Sequence, residues 1–513
     1  MSRKIHTRYK INGTLVAQSP IHIGSVGNDP LIDLTLAVNG VGQHYVPGTS
    51  LTGALRAWME EIDETNTALL WGARLGRSKT SKDDDGYASW VIVEDAAIQG
   101  EVQAELRDGV GIDRLYGSAA ECIKFDRAIL PKGTTIQLNI TIERNPVIDW
   151  EPIRLLWAEL LQALTEGELR LGAAKTRGLG AVTLQNLSVQ ETNLQSREGI
   201  LSLLKGETKH SSVFSWNDSL KRRHDQPLEI EIDWYPTAPL MVKAEQEGIA
   251  VDVLPLMSAV DNHIAFVLPG SSIKGAFRTQ AERIVRTVCS IQLPEPADSK
   301  KAFLHQLDLP LINNLFGAAA KTENKQQCGQ IGALAVDDCY ADHELLMPQW
   351  EEVQTAKESK ELIASLTSAG LPHTQQAFHV AIDRWTGGAA KNFLYSTLEP
   401  MQVKWHPIRL QVHLQRIKSK NLQKSCIALL LLVLRDLSQN RIPLGYGVNR
   451  GMGAIGVNSI TLRGLDILNS DLQSSLTLQQ GNLQDLEPML TELNRAWRDW
   501  TTSYRTGNSN ERA

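Results

Sequence analysis

Two glycine-rich segments gather the most chemically useful groups in this 513-residue sequence. Leu171-Gly-Ala-Ala-Lys-Thr-Arg-Gly-Leu-Gly-Ala181 sets Lys175 and Arg177 among Gly172, Gly178 and Gly180. Leu444-Gly-Tyr-Gly-Val-Asn-Arg-Gly-Met-Gly-Ala454 sets Asn449 and Arg450 among Gly445, Gly447, Gly451 and Gly453. Glycines let backbone approach a ligand closely, successive amides form an anion-binding concavity, and a cation on the same loop suits a phosphodiester. A glycine hairpin without a ligand is the alternative. A second pair, Pro47-Gly48-Thr49-Ser50 and Pro269-Gly270-Ser271-Ser272, turns a strand sharply into a helix. The amides of such a helix start suit a phosphate, or the hydroxyls serve only as caps. Lys274, Arg56 and Arg278 follow inside these helices. His22 and His44 offer acid–base chemistry, and Cys328, Cys339 and His343 are conceivable zinc ligands. Neither set recurs in the other half of the chain, and the zinc set lacks a fourth ligand at good spacing.

The paired segments belong to a longer pattern in which four blocks recur in the same order. Besides the two already named, Leu70-Trp-Gly-Ala73 followed by Trp90-Val-Ile-Val-Glu-Asp95 matches Leu315-Phe-Gly-Ala318 followed by Ala333-Leu-Ala-Val-Asp-Asp338. Val110-Gly-Ile-Asp-Arg-Leu-Tyr-Gly-Ser-Ala-Ala120 matches Val380-Ala-Ile-Asp-Arg-Trp-Thr-Gly-Gly-Ala-Ala390. The chain is therefore expected to be a tandem duplication. A first domain occupies 1–190, a polar linker 191–226, a second domain with helical insertions 227–465, and a C-terminal helix and tail 466–513.

The elements that must position these groups repeat as well. Asn12–Ala17, Leu228–Trp234, Thr135–Glu143 and Ile408–Gln415 alternate as strands, while Leu51–Ile62, Ile273–Val288, Glu151–Leu164 and Leu422–Leu437 carry helical periodicity. Glu351–Ser368 reads as extra helical sequence, Leu486–Tyr504 as an amphipathic terminal helix, and Thr506–Ala513 as a frayed end. Two strand-helix-strand halves per domain predict an α+β fold of two tandem ferredoxin-like units, the architecture of the RNA-recognition module.

Composition narrows the class. A net charge of -6 argues against a strongly basic, non-specific nucleic-acid binder but allows local basic grooves. The longest apolar run, Ile427–Leu434, is far too short to span a bilayer, and the N-terminus lacks an apolar signal core. Five scattered cysteines suit a reducing cytoplasm.

On the Pro-Gly-Ser/Thr-Ser-x-x-Gly-Ala-x-Arg, Ile-Asp-Arg-x-x-Gly-x-Ala and glycine-loop segments, both halves resemble the RAMP (repeat-associated mysterious protein) superfamily, specifically the backbone subunits of type III CRISPR effector complexes. Two fused units resemble the double-domain subunits of type III-D systems. The resemblance implies a guide-RNA-binding protein that holds a guide–target RNA duplex beside other RAMP backbone, small and large subunits, away from membranes. It also implies a thumb hairpin in each domain, leading from the Ile-Asp-Arg segments across about 111–132 and 381–401. There Leu115, Tyr116, Trp385 or Phe393 would wedge between bases. Gly48, Thr49, Ser50, Arg56, Arg114, Lys175, Arg177 and Gly178, with Gly270, Ser271, Ser272, Lys274, Arg278, Arg384, Asn449, Arg450 and Gly451, would contact RNA.

The resemblance further implies endonucleolytic target cleavage dependent on a divalent metal, Mg or Mn, with an aspartate on the loop before the Pro-Gly turn as metal ligand or proton acceptor. Asp33 fits the first loop best, with Asp29 as the alternative. Asp252 fits the second, with Glu245, Glu247 and Asp261 behind it. The second loop departs from the pattern: Ile21-His-Ile-Gly24 has become Leu240-Met-Val-Lys243. A non-catalytic RNA-binding subunit and a metal-independent precursor-RNA processing ribonuclease are the rival expectations.

Overall fold

The computed structural model describes residues 4–24, 31–72, 88–144, 149–206, 226–292, 294–320, 329–467, 475–482 and 487–510. The first repeat contributes β1 (Thr7–Ala17), β2 (Tyr45–Val46), α1 (Gly48–Ile62), α2 (Glu64–Trp71), β3 (Val91–Val93), β4 (Ala96–Gln99), β5 (Glu105–Ile112), β6 (Ala119–Ile129), β7 (Thr135–Arg144), α3 (Trp150–Glu166), β8 (Val182–Asn193) and α4 (Arg197–Lys205). The second contributes β9 (Leu228–Pro236), β10 (Met257–Val260), β11 (His263–Leu268), α5 (Gly270–Cys289), α6 (Lys300–Gln306), α7 (Pro310–Phe316), β12 (Leu334–Val336), β13 (Cys339–Leu345), α8 (Met347–Thr355), α9 (Ser359–Ser368), β14 (Gln375–Ile382), β15 (Ala389–Glu399), β16 (Ile408–Val412), α10 (Lys420–Ser438), β17 (Ile455–Arg463), β18 (Ser475–Gln479) and α11 (Glu487–Asn510).

Each repeat builds one antiparallel sheet in the same strand order, β3-β7-β1-β8 in the first and β12-β16-β9-β17 in the second. Counted along the chain this is 2-3-1-4 in both, the ferredoxin-like βαββαβ arrangement. The sequence pattern explains it locally. In β1, Tyr9, Ile11, Leu15 and Ala17 alternate onto the buried face. In α1, Leu51, Leu55, Trp58 and Met59 recur at helical spacing and meet Leu156, Leu160 and Leu164 of α3 in one core. The core of the second repeat is larger: α10 is buried from Ser425 to Leu431, with Met489 and Leu493 of α11 packed against it.

Several elements differ from the sequence reading. The strand expected to reach Gln415 ends at Val412 and passes into one 3-10 turn, Leu414–Arg416. The helical sequence expected at 351–368 is present as α8 and α9, separated at Ala356. The terminal helix continues to Asn510.

The compact units do not follow the repeats along the chain. One unit comprises Met1–Leu106, Arg127–Lys175 and Leu179–His224. The other comprises Arg107–Asp126, Thr176–Gly178 and Asp225–Ala513. The β5–β6 hairpin and three residues of the first glycine loop thus belong to the second unit. Among the described residues, no helix is long and apolar enough to cross a membrane.

Candidate RNA interface and loop acids

The two loop acids occupy equivalent places. Leu34 forms a parallel bridge to Arg127 and accepts from the Ala128 amide at 3.0 Å; Val253 forms a parallel bridge to Thr397 and accepts from the Leu398 amide at 2.9 Å. A second bridge on the same segment joins Gly24 to Leu36 and Lys243 to Pro255. Asp33 and Asp252 each precede the bridging residue by one position, and both are exposed. The Asp252 Oδ2 accepts from the Ser396 amide at 2.7 Å and from its hydroxyl at 2.9 Å, while the Asp252 amide donates to Ser396 Oγ at 3.2 Å. This clamp fixes the carboxylate and leaves Oδ1 without a partner among the described residues. Asp29 lies outside the described residues. Glu245 is engaged by Lys124 at 3.2 Å, Glu247 is exposed, and Asp261 is the left-handed turn residue (φ 55°) between β10 and β11.

The hairpins begin earlier than the sequence suggested, at Glu105 and Gln375, and the Ile-Asp-Arg motif forms their tips rather than their bases. The tips are alike. Asp113 Oδ1 accepts from the Leu115 and Tyr116 amides at 2.7 and 2.9 Å, and Asp383 Oδ1 from the Trp385 and Thr386 amides, both at 2.8 Å. Gly117 and Gly387 then close the turn at φ 67° and 70°, which only glycine adopts freely. Tyr116, Trp385 and Phe393 are 67%, 96% and 61% exposed, and Leu115 sits just above a third. Because Phe378 pairs with Ser396 and Val380 with Leu394, these residues share the Asp252 side of the hairpin, where Phe378, Val380 and Leu394 are exposed.

On the other side lies a group the sequence reading missed. The His379 ring stacks on Tyr395 with centroids 5.2 Å apart, and His379 Nε2 lies 3.0 Å from Thr397 Oγ1 and 3.3 Å from the buried Glu399 carboxylate. Arg450 of the second glycine loop donates to the Tyr395 hydroxyl and stands 4.9 Å from the Tyr446 ring centroid. Asn449, Arg450 and Gly451 are exposed, as is Arg177 of the first loop; Lys175 is half-buried. Gly172 and Gly445 are needed because a Cβ there would collide with the carbonyl oxygens of His22 and Met241. Arg384 is exposed at the second tip.

Other expected RNA contacts have structural work instead. The first amides of α1 and α5, on Gly48 and Gly270, donate at 2.7 Å to Asp95 and Asp338, so these helix starts already hold an internal anion. Thr49 and Ser271 are exposed, whereas the amides of Ser50 and Ser272 turn back to Pro47 and Pro269. Arg56 pairs with Glu60 at 2.8 Å and donates to the Gly72 carbonyl. Arg278 pairs with Glu282 at 2.7 Å and donates to the Gly317 carbonyl. Each arginine thereby fastens its helix to the Leu-x-Gly turn, which accounts for its recurrence. Arg114 is held by Glu282 at 2.6 Å. Gly178 packs against the Asp338 carboxylate. Lys274 is buried, donating to the Leu334 carbonyl at 2.6 Å. Burial first, then the charges of Arg177, Arg278 and Arg416, push its ammonium down to about 7. Asp113 is buried too: burial favours its protonated form, but amides of Ala297, Tyr116 and Leu115 and the Gln306 side chain hold it down at about 2.

His22 is a core residue lowered by burial, with Nδ1 2.7 Å from the Ala128 carbonyl. Burial pushes the Cys339 thiol up to about 12, and His343 bonds to the Ala369 carbonyl. Cys328 lies outside the described residues. The recurring Asp95 and Asp338 could have been found in the sequence, since both end the same repeated block.

Comparison with known families decides the identity of the fold. The model of the RAMP superfamily matches residues 14–183 and again 262–456. The chain belongs to the RAMP superfamily. No curated protein matches it. As a tandem RAMP protein it is a CRISPR-associated RNA-binding subunit, with one ferredoxin-like unit per matched region. Among the described residues, no three His, Cys, Asp or Glu side chains gather into a metal site. One carboxylate per RAMP repeat does not fit a resident zinc, but it fits a hydrated Mg or Mn ion carried with RNA phosphates, since such ions are often held by one or two carboxylates plus substrate.

Proposed function

We propose that this protein is a double backbone subunit of a cytoplasmic type III CRISPR ribonucleoprotein, of the III-D kind, that binds guide RNA through both repeats and cuts the complementary target RNA. The equivalent placement of Asp33 and Asp252 beside the two hairpins carries the reading. Exposed Tyr116 and Trp385 at the tips would enter the guide–target duplex and unstack a step, freeing its ribose and phosphate from helical geometry. Cleavage is then an attack of the 2′-oxygen on the adjacent phosphorus, with departure of the 5′-oxygen. The chain's part is to hold that step. Ser396 fixes the Asp252 carboxylate, which can accept the 2′-hydroxyl proton. Arg450, braced by Tyr395 and Tyr446, offers a cation to the RNA backbone. A divalent cation held by Asp33 or Asp252 together with RNA phosphates would neutralise charge at the reacting phosphate.

The test is Asp33→Ala and Asp252→Ala, singly and together, in the assembled complex with guide and target. Each change should abolish one family of cuts with guide affinity unchanged. Full cleavage by the double variant would leave a purely structural RNA-binding subunit. The His379–Glu399 pair favours a second reading, metal-independent processing of precursor RNA by an imidazole oriented by a buried carboxylate. Cleavage that survives EDTA and is lost in His379→Gln would select it.

A further inference from the structure

In the first repeat β4 runs into β5 through residues 100–104, whereas the matching strands of the second repeat, β13 and β14, are separated by residues 346–374, which hold α8 and α9. These two helices bury a small core. Trp350 and Val353 of α8 lie three positions apart, and Leu362 and Leu366 of α9 four apart, so each pair falls on one helix face. The insertion does not close this core by itself. Val251 and Leu254, from the loop that carries Asp252, complete it.

Polar contacts hold the same loop to the insertion. The Ile249 amide donates to the Gln354 carbonyl near the end of α8 at 3.0 Å, and the Gln354 side chain donates to Gln246 at 3.2 Å. Gln376, the second residue of β14, donates from Nε2 to the Ala250 carbonyl at 2.7 Å. Its Oε1 accepts from the hydroxyl of Ser359, the first residue of α9, at 2.8 Å. On the other side of the acid, Val253 is buried in a separate cluster with Met241 and with Met452 of the second glycine loop. Asp252 is therefore an exposed residue between two buried neighbours that are anchored in different clusters. Around Asp33 the packing is looser: Ile32 and Leu34 are half-buried and Leu31 is exposed.

We infer that α8–α9 is a buttress for the second cleavage loop, and that Gln376 is its positioning residue, fixing the backbone of Asp252 before RNA is bound. Ser396 orients the carboxylate, and the insertion holds the chain that carries it. Backbone ordered in advance need not be frozen when the substrate arrives, and a small displacement of a reacting group slows a reaction steeply. The inference rests on the reading of Asp252 as a cleavage acid. It adds that the two acids are supported unequally, the second by a device built into one repeat.

Gln376→Ala tests this in the full-length chain and in the assembled complex with guide and target. Hydrogen exchange of the 246–254 segment in the free chain should quicken about tenfold, as expected for one lost hydrogen bond. In single-turnover assays the maximal rate of the Asp252-dependent cut should fall about tenfold, with the target concentration at half-maximal rate unchanged. The Asp33-dependent cut should keep its rate and serves as the internal control. Val353→Ala, a mild truncation in the insertion core, should move exchange and the same cut in the same direction. Unchanged exchange beside an intact Asp252-dependent cut, or equal slowing of both cuts, overturns the inference. A wild-type complex with no cut that Asp252→Ala abolishes would instead sink the cleavage reading, and the positioning role with it.

Discussion

Replacing Arg107 by Ala strands a buried carboxylate. Among the described residues, Asp338, with a side chain 1% exposed, would keep the Gly270 amide as donor, and Ser258 would lose the bond that Arg107 donates to it. Removing one member of a buried ion pair costs about 3–5 kcal/mol. A large unit shifts its melting temperature by about 2 °C per kcal/mol, so the transition of the second unit should fall by roughly 6–10 °C. The loss should depend on pH with a definite sign. Burial already raises the Asp338 carboxyl above its ordinary range while Arg107 pulls it down, so removing Arg107 raises it further. A group with a raised folded-state value favours the fold while protonated and loses that contribution as pH rises through this value. The deficit should therefore be smaller at pH 5 than at pH 7. Calorimetric melts of wild type, Arg107→Ala, and Arg107→Ala with Asp338→Asn measure it, and the double variant should recover much of the loss. A midpoint unchanged within about 2 °C, or equal deficits at both pH values, would refute the reasoning.

Three other outcomes are expected. Ser396→Ala removes the hydroxyl from Asp252 but keeps the amide at 2.7 Å. It should slow cleavage at one target position by about tenfold without weakening guide binding, as site-resolved cleavage kinetics would show; weakened guide binding with normal cleavage would contradict it. Arg450→Ala should lower RNA affinity evenly across sequences and reduce the salt slope by about 1, read by fluorescence anisotropy; an unchanged slope removes the loop from the interface. Asp113, held at about 2, stabilises the fold above its unfolded value near 3.8, and that contribution disappears as pH falls toward 2. Acid unfolding of Asp113→Asn should lack this component, and curves of identical shape for variant and wild type would disprove it.

What the sequence revealed was local or repeated. The duplication and the strand order implied by two βαβ halves follow from patterns within a few tens of residues, whereas Asp33 and Asp252 are singled out only through the resemblance to the RAMP superfamily. Two bridges per repeat then set these acids in register. What escaped depends on partners far apart in the chain. Arg107 meets Asp338 across 231 positions, and nothing in the hairpin sequence announces it. Arg56 and Arg278 look like phosphate ligands because they follow a glycine turn, yet backbone carbonyls of Gly72 and Gly317 occupy their donors. His379 escaped because it has no histidine counterpart and its carboxylate partner, Glu399, lies on the opposite strand of the hairpin.

The hairpins also record how far the halves have drifted. At the position of His379 the first repeat has Gly109, and at that of Tyr395 it has Phe125. The Phe125 ring fills the space a Cβ on Gly109 would need. A side chain at Gly109 requires the Phe125 ring to move, and His379→Gly would leave Tyr395 without its stacking partner. The two hairpins thus fill the same cross-strand position in different ways, with an aromatic ring laid over a glycine in the first repeat and a histidine stacked on a tyrosine in the second.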